Sequence, residues 1–205
     1  MSEALSSIVS ALDATAPLLP GAQIPWMQTL RSNARTQLDR FGLPTQRQED
    51  WKYTSVRPIE RRSFSLLDAQ QAQSAITAEQ QADLASRGCG VQAGCTLVFL
   101  DGRFHQSFGE VPDGLVLRGL ADVLNTDPAL AEKLLGAAVG ADAVGFAAMN
   151  GAHLADGAVV VVEPGTTIEA PINLVFAAST QENTASLPRN LIHLGDSAHA
   201  QIVEH

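Results

Sequence analysis

Cysteine is almost absent, with only Cys89 and Cys95 in 205 residues. Neither has a histidine or a further cysteine at ligand spacing. The Cys-x5-Cys pair therefore reads as two free thiols of a reducing, cytoplasmic compartment, not as a disulfide framework or a metal site. Basic residues are also scarce, 13 Lys and Arg against 22 Asp and Glu, a net charge of -9. Such a chain does not attract nucleic acid or anionic membranes. A long apolar run is missing too. The most apolar window, residues 134–149, is rich in Ala and Gly and is interrupted by Asp142, so it is too short and too polar to span a bilayer. The opening MSEALSSIVSALDA has an early acid and no basic n-region, so no secretory signal is expected. Three catalytic signatures are absent: Gly-x4-Gly-Lys-[Ser/Thr], Gly-x-Ser-x-Gly and His-Glu-x-x-His. Gly88-Cys89-Gly90 lacks the amphipathic helix that follows a nucleotide fingerprint and reads as a loop.

What is present is a globular composition, 45% hydrophobic and 17% charged, long enough for one large or two small domains. The charge is uneven. Residues 1–62 hold eight Lys and Arg and six Asp and Glu, whereas the remainder holds five and sixteen. The arginines between Arg31 and Arg62 are interleaved with acids, which suits a solvated helical surface better than a nucleic-acid face.

The first part is helical in pattern. Leu5, Ile8, Val9 and Leu12 recur at helical spacing over residues 2–16, and Ser2 offers an N-cap. Pro17, Pro20 and Gly21 end that helix. Pro25 suits the first turn of a second, whose apolar side is Trp26, Met27, Leu30, Ala34, Leu38 and Phe41. Gly42 stops it, with Pro44 beyond. Residues 68–74 are either linker or exposed helix, and Thr77 with Glu79-Gln80 starts a short helix closing near Gly88.

At Thr96 the period becomes strand-like. Residues 96–100 and 103–108 flank Asp101-Gly102, the dipeptide that a tight primed hairpin turn demands. Residues 115–117 predict a strand. Residues 120–124 and 128–135 predict helices, the second with Asp127 as N-cap and Pro128 at its first position. Residues 136–145 form a small-residue connector. Residues 146–172 then carry turns at Asn150-Gly151, Asp156-Gly157 and Pro164-Gly165, with strands at 159–162 and 166–168 between and after them. The pattern resumes at 171–176, 190–194 and 202–205. Short strands with frequent turns and no room for a helix between them point to a coiled ladder of strands, a parallel β-helix with stacked inward Val, Ile and Leu.

Four segments taken in order carry a family resemblance: Arg47-Gln48-Glu49-Asp50-Trp51-Lys52-Tyr53-Thr54, the hairpin over residues 97–104, residues 146–172, and residues 188–192 with 198–204. Together they resemble the SufB/SufD family of the SUF iron–sulfur cluster assembly system, and within it the SufD side. The Trp51 motif before a short helical N-terminal region and the lack of a cluster-ligand arrangement of cysteines favour SufD over SufB. The resemblance implies a mixed α and β chain: an N-terminal helical domain (1–95), a hairpin and short-helix lead-in (96–145) and the first coils of a right-handed parallel β-helix (146–205). It also implies that the chain is the N-terminal half of a longer scaffold subunit. Its SufB-like homologue and SufC-like ATPase would be bound through regions beyond His205, and the iron–sulfur cluster would be handled by the full complex. The open ladder end, residues 188–205, is expected to be disordered or packed on a second copy.

Local chemistry adds little. No catalytic, cofactor-binding or metal-binding residue is assigned. His105, His153, His193, His199 and His205 are scattered and read as satisfied or surface side chains. Glu49 and Asp50 beside Trp51 and Lys52 have the composition of an acid–base pair. The structural reading is that one carboxylate caps a turn, Trp51 and Tyr53 pack, and Arg47 or Arg57 pairs with the acids. The chain is therefore expected not to be an enzyme. A β-helix enzyme acting on carbohydrate or acyl groups is the rival, weakened by the lack of a sustained six-residue repeat.

Overall fold

The computed structural model describes residues 3–66, 82, 94–138, 143–178 and 183–205. The expectations for Ser2, for residues 68–74, for residues 77–88 apart from Ala82, and for Cys89 lie outside them.

Helix α1 (Glu3–Thr15) forms where Leu5, Ile8, Val9 and Leu12 share one face, and all four are buried. Each contributes roughly 1.5–3 kcal/mol of burial. Helix α2 (Pro25–Phe41) starts on its proline and stops at Gly42, whose φ of 65° no side-chain-bearing residue adopts readily. Its buried positions are Met27, Arg31, Ala34 and Leu38. Two details differ from the sequence pattern. Phe41 is exposed at the helix end, and Arg31, expected on a solvated surface, is buried.

A third helix, α3 (Arg57–Glu60), is a single turn, followed by the short strand β1 (Ser65–Leu66). Strand β2 (Cys95–Leu100) and strand β3 (Arg103–Phe108) are the predicted hairpin, paired antiparallel. Asp101 and Gly102 both take positive φ, 49° and 79°, as a primed turn requires. Strand β4 (Leu115–Gly119) leads into helix α4 (Leu120–Thr126) and helix α5 (Pro128–Ala138). The Asp127 carboxylate accepts the Leu130 N–H at 3.1 Å, the N-cap that the sequence called for.

Asn150-Gly151 is not a turn. It lies inside helix α6 (Phe146–His153), so a helix does fit ahead of the ladder. Gly151 is there because α6 packs closely on α2: a Cβ at this position would lie 3.0 Å from the Ala34 Cβ. Asn150 is used for its side chain, whose amide donates to the Leu187 and Pro188 carbonyls at 3.1 and 2.8 Å. Helix α6 therefore shares its core with α1 and α2, through Ala148, Met149 and Ala152.

The remaining strands are β5 (Ala158–Val162), β6 (Ile172–Ala177), β7 (Thr184–Ala185), β8 (Leu191–Leu194) and β9 (Ile202–Glu204). They form one sheet of order β3-β2-β6-β9, another of order β4-β5-β8, and a small β1-β7 pair. Residues 166–168 contribute only an isolated parallel bridge, Thr167 with His199, where a strand was expected. The parallel register has a nearly constant step. Val159 pairs Leu191, Thr167 pairs His199 and Ile172 pairs Ile202, so each residue meets one 30 to 32 positions further on. Two faces and the corner between them advance together, which makes the segment a layered ladder.

Ala158, Val160 and Val162 face a core shared with Leu97, Phe99, Ile172 and Leu174. Val159 and Val161 face the other way, onto α4 and α5 through Val123, Leu124 and Leu135. That alternation is the strand period itself. The first layer is capped by the lead-in, because β2 pairs β6 in parallel and β4 pairs β5 antiparallel. The last layer, β8 and β9, has no strand beyond it among the described residues. Ile192 and Leu194, in register with buried Val160 and Val162, are 50% and 42% exposed. Residues 188–205 are described throughout, with β8 and β9 paired in parallel onto β5 and β6.

Asp156 joins these parts. Its Oδ1 accepts the Ala121 and Gly157 N–H groups at 3.0 and 2.9 Å, and its Oδ2 accepts the Phe104 N–H at 2.8 Å. Replacing Asp156 by Ala would leave these amides without their acceptor and should lower stability by about 3 kcal/mol or more, read as a fall in the urea midpoint at unchanged m-value.

Candidate functional site

The described residues hold no group of three or more His, Cys, Asp or Glu side chains placed to ligate a metal. His193 and His199 both lie on the last layer: His193 pairs Val161 in register and His199 bridges Thr167. Both are exposed, as is His205. His105 is half-buried on β3. Cys95 is buried at the start of β2, and burial raises its thiol above the usual value, so it packs as a small apolar side chain.

His153 is the exception among the histidines. It ends α6, is buried, and its Nδ1 has no hydrogen-bond partner. Burial, followed by the nearby charges of Arg103 and Arg31, lowers its pKa to about 3. Arg31 is buried beside it. Its Nη2 donates to the Pro20 and Leu154 carbonyls at 2.6 and 2.8 Å, which ties α2 to the end of α6. Desolvation, with Arg103 nearby, lowers the Arg31 pKa to about 10. Sequence periodicity marks neither residue, since an Arg in a helix ordinarily reads as a polar-face position. Arg31 also lines a cavity of about 310 Å³ between α1 and α2, together with Gln28, Ser32 and Arg35. Arg35 is already engaged there by Asp13 and Asp39.

The Trp51 segment forms a second region. Gln48, in extended conformation, leads into a one-turn 3-10 helix over Glu49–Trp51. Trp51 packs on Phe146 with ring centroids 5.6 Å apart, which fixes the loop against α6. Tyr53 does not pack as the sequence suggested; it is 90% exposed, with the Lys52 ammonium 5.5 Å from its ring centre. The carboxylates also find a different partner. Glu49 pairs with Lys52 at 3.9 Å, and the described residues show no ion pair for Arg47 or Arg57. Glu49 and Asp50 are both exposed and not arranged as a catalytic pair. Two cavities flank this loop and meet at Pro44. One, about 330 Å³, is walled by Phe41, Trp51, Val144 and Phe146; the other, about 320 Å³, by Arg47, Arg57 and Glu60.

Against this geometry, residues 14–174 match the family described as SufBD protein N-terminal region. The match runs from the end of α1 into β6, and the chain belongs to the SufB/SufD family. Its class of activity is thereby SUF iron–sulfur cluster assembly. Comparison with curated proteins returns no match. No helix among the described residues is long and apolar enough to cross a membrane.

The buried imidazole gives a pH prediction. Below the ordinary value of 6.5 the unfolded chain binds a proton at His153 that the folded chain, with its value near 3, does not. This contribution to stability is therefore complete above pH 6.5 and is lost as the pH falls toward 3, by about 2 kcal/mol at pH 5. Urea unfolding of His153→Gln should show that slope removed, whatever the variant's absolute stability.

Proposed function

We propose that this chain is the helical cap and first β-helix coils of a SufD-type, non-catalytic scaffold subunit. In this reading it acts beside a SufB-like homologue and a SufC-like ATPase. The observation that carries the reading is the family match over residues 14–174. The described residues are in keeping with it. They offer a layered surface built from the β3-β2-β6-β9 and β4-β5-β8 sheets. A right-handed β-helix is supported by the nearly constant 30-to-32-residue step of the parallel pairing and by the strong physical preference for right-handed parallel crossovers.

The last layer has a defined chemical need. Ile192, Leu194 and Ile202 continue the inward column of Val160, Val162 and Ile172, and among the described residues β8 and β9 have no further strand beside them. A further parallel strand layer with aliphatic inward residues satisfies both. It comes from another coil or from a second copy of the chain. The cluster itself is cargo of the assembled complex in this proposal, and this segment holds no cofactor.

Affinity purification from the source cell tests the reading, with residues 1–205 and the whole reading frame as separate baits. The whole frame should recover a SufB-like β-helix protein and a SufC-like ATPase by mass spectrometry. Loss of the ATPase with the shorter bait would agree with an ATPase contact outside these residues. Recovery of neither protein by either bait would defeat the scaffold assignment.

A further inference from the structure

We propose that the cavity between α1 and α2 binds a small monocarboxylate with a short apolar body, its carboxylate held by Arg31. The proposal stands apart from the scaffold reading, and neither depends on the other. It begins with a buried charge. Arg31 is 8% exposed, and no carboxylate pairs with it among the described residues. Buried cations are ordinarily paired, because an unbalanced charge taken from water is costly. The two acceptors that Arg31 does have, the Pro20 and Leu154 carbonyls, are neutral, and both are served by Nη2. Neither Nε nor Nη1 has a hydrogen-bond partner among the described residues, and of the two only Nε is sealed from solvent. Arg31 thus brings a full charge and an unused donor to the cavity that it lines.

The surrounding charges call for an anion and limit how much charge it carries. The cavity wall holds two cations, Arg31 and Arg35, and one acid, Asp13. That acid is taken. Asp13 pairs with Arg35, which Asp39 also engages at 3.1 Å from outside the wall. These three side chains are open to water, which screens them, whereas Arg31 is not. Arg103 stands near enough to Arg31 to disfavour its charge further. One buried positive charge is therefore left without a counter-charge, and a single carboxylate balances it. A phosphate dianion would bring a second negative charge toward Asp13, with no free cation in the wall to meet it.

The rest of the wall fits the body of such a ligand. Leu12, Ala16, Pro17, Ala22 and Ala152 give it short apolar surface, and Ser32 adds a hydroxyl. The Gln28 amide is already used, donating to the Ala22 carbonyl at 2.7 Å, so the wall is mostly apolar away from Arg31. A volume of about 310 Å³ lies at the small end of ligand sites, which suits a short acid better than a nucleotide.

The test is titration of the chain with sodium butyrate at constant ionic strength, followed through the Arg31 side-chain N–H signals in proton–nitrogen correlation spectra. These signals should shift saturably, with a Kd on the order of 1 mM. Ala16→Phe puts a ring into the cavity from an exposed position and leaves Arg31 in place. It should weaken butyrate binding at least about tenfold, as should Arg31→Gln. Arg40→Gln removes the same charge from an exposed position of α2 outside the wall and should leave binding unchanged. Should Arg31→Gln loosen the fold, Ala16→Phe decides alone. No saturable shift, an equal shift with sodium chloride, inorganic phosphate binding as tightly as butyrate, or undiminished binding to Ala16→Phe would each overturn the proposal.

Discussion

The carboxylate of Asp156 sits where the hairpin, the α4 helix and the first ladder strand converge, and each of them needs it. It accepts backbone amides from Phe104, Ala121 and Gly157, three groups that would otherwise be left without an acceptor. Its negative charge also stands at the start of α4, where the helix presents free N–H groups. The neighbouring backbone is as constrained. Gly157 has a φ of 151°, and a Cβ there would lie 2.1 Å from the Arg189 carbonyl oxygen. One layer of the ladder thus rests directly on the turn that starts the layer before it. The Asn190 side chain closes the contact by accepting the Ala158 N–H at 2.9 Å.

Asn150 performs the same service from the helical side. Its amide holds the Leu187 and Pro188 carbonyls, and its Oδ1 accepts the Arg189 Nε–H at 2.6 Å. Helix α6 is therefore fixed at once to α2, through the small Gly151, and to the segment that feeds β8. The Arg31 guanidinium adds a third tie, from α2 to the end of α6. These few polar side chains make the helical part and the ladder into one packed body, and in the proposed scaffold role they would bear on function because a scaffold transmits position only if its parts do not shear. The apolar cores on either side supply the bulk of the burial, but they are non-directional and do not set the registry.

Much of this was legible because local rules were obeyed locally. Pro25, Gly42, Asp101-Gly102 and the Asp127-Pro128 pair each did what their backbone chemistry dictates. The strands at 158–162, 172–177, 191–194 and 202–204 followed from β-branched runs between turn residues, whereas the run at 166–168 makes only a bridge. What failed was where tertiary contacts reuse a residue for another purpose. Asn150-Gly151 has the composition of a turn, yet it is helix, because close packing needs the glycine and the ladder needs the amide. Arg31 sits at a polar position by pattern and is buried because helix-end and loop carbonyls accept its protons. Tyr53 reads as core and stands in solvent, since Trp51 alone fills the space against Phe146. The cavity beside Trp51 could not be read from sequence at all: it brings residues 41–51 next to residues 144–147, a proximity that only the docking of α6 creates.

If the polar ties do unite the two parts, the chain should unfold as one unit. Both tryptophans, Trp26 and Trp51, lie in the helical part, and the described ladder strands have none. The most direct measurement is urea unfolding followed in parallel by tryptophan fluorescence and by far-ultraviolet circular dichroism in the β-sheet region. The account predicts coincident transitions with the same midpoint and slope. A ladder signal that melts separately from the tryptophan signal would contradict it, and would mean that the clamps at Asn150 and Asp156 decorate the junction without holding it.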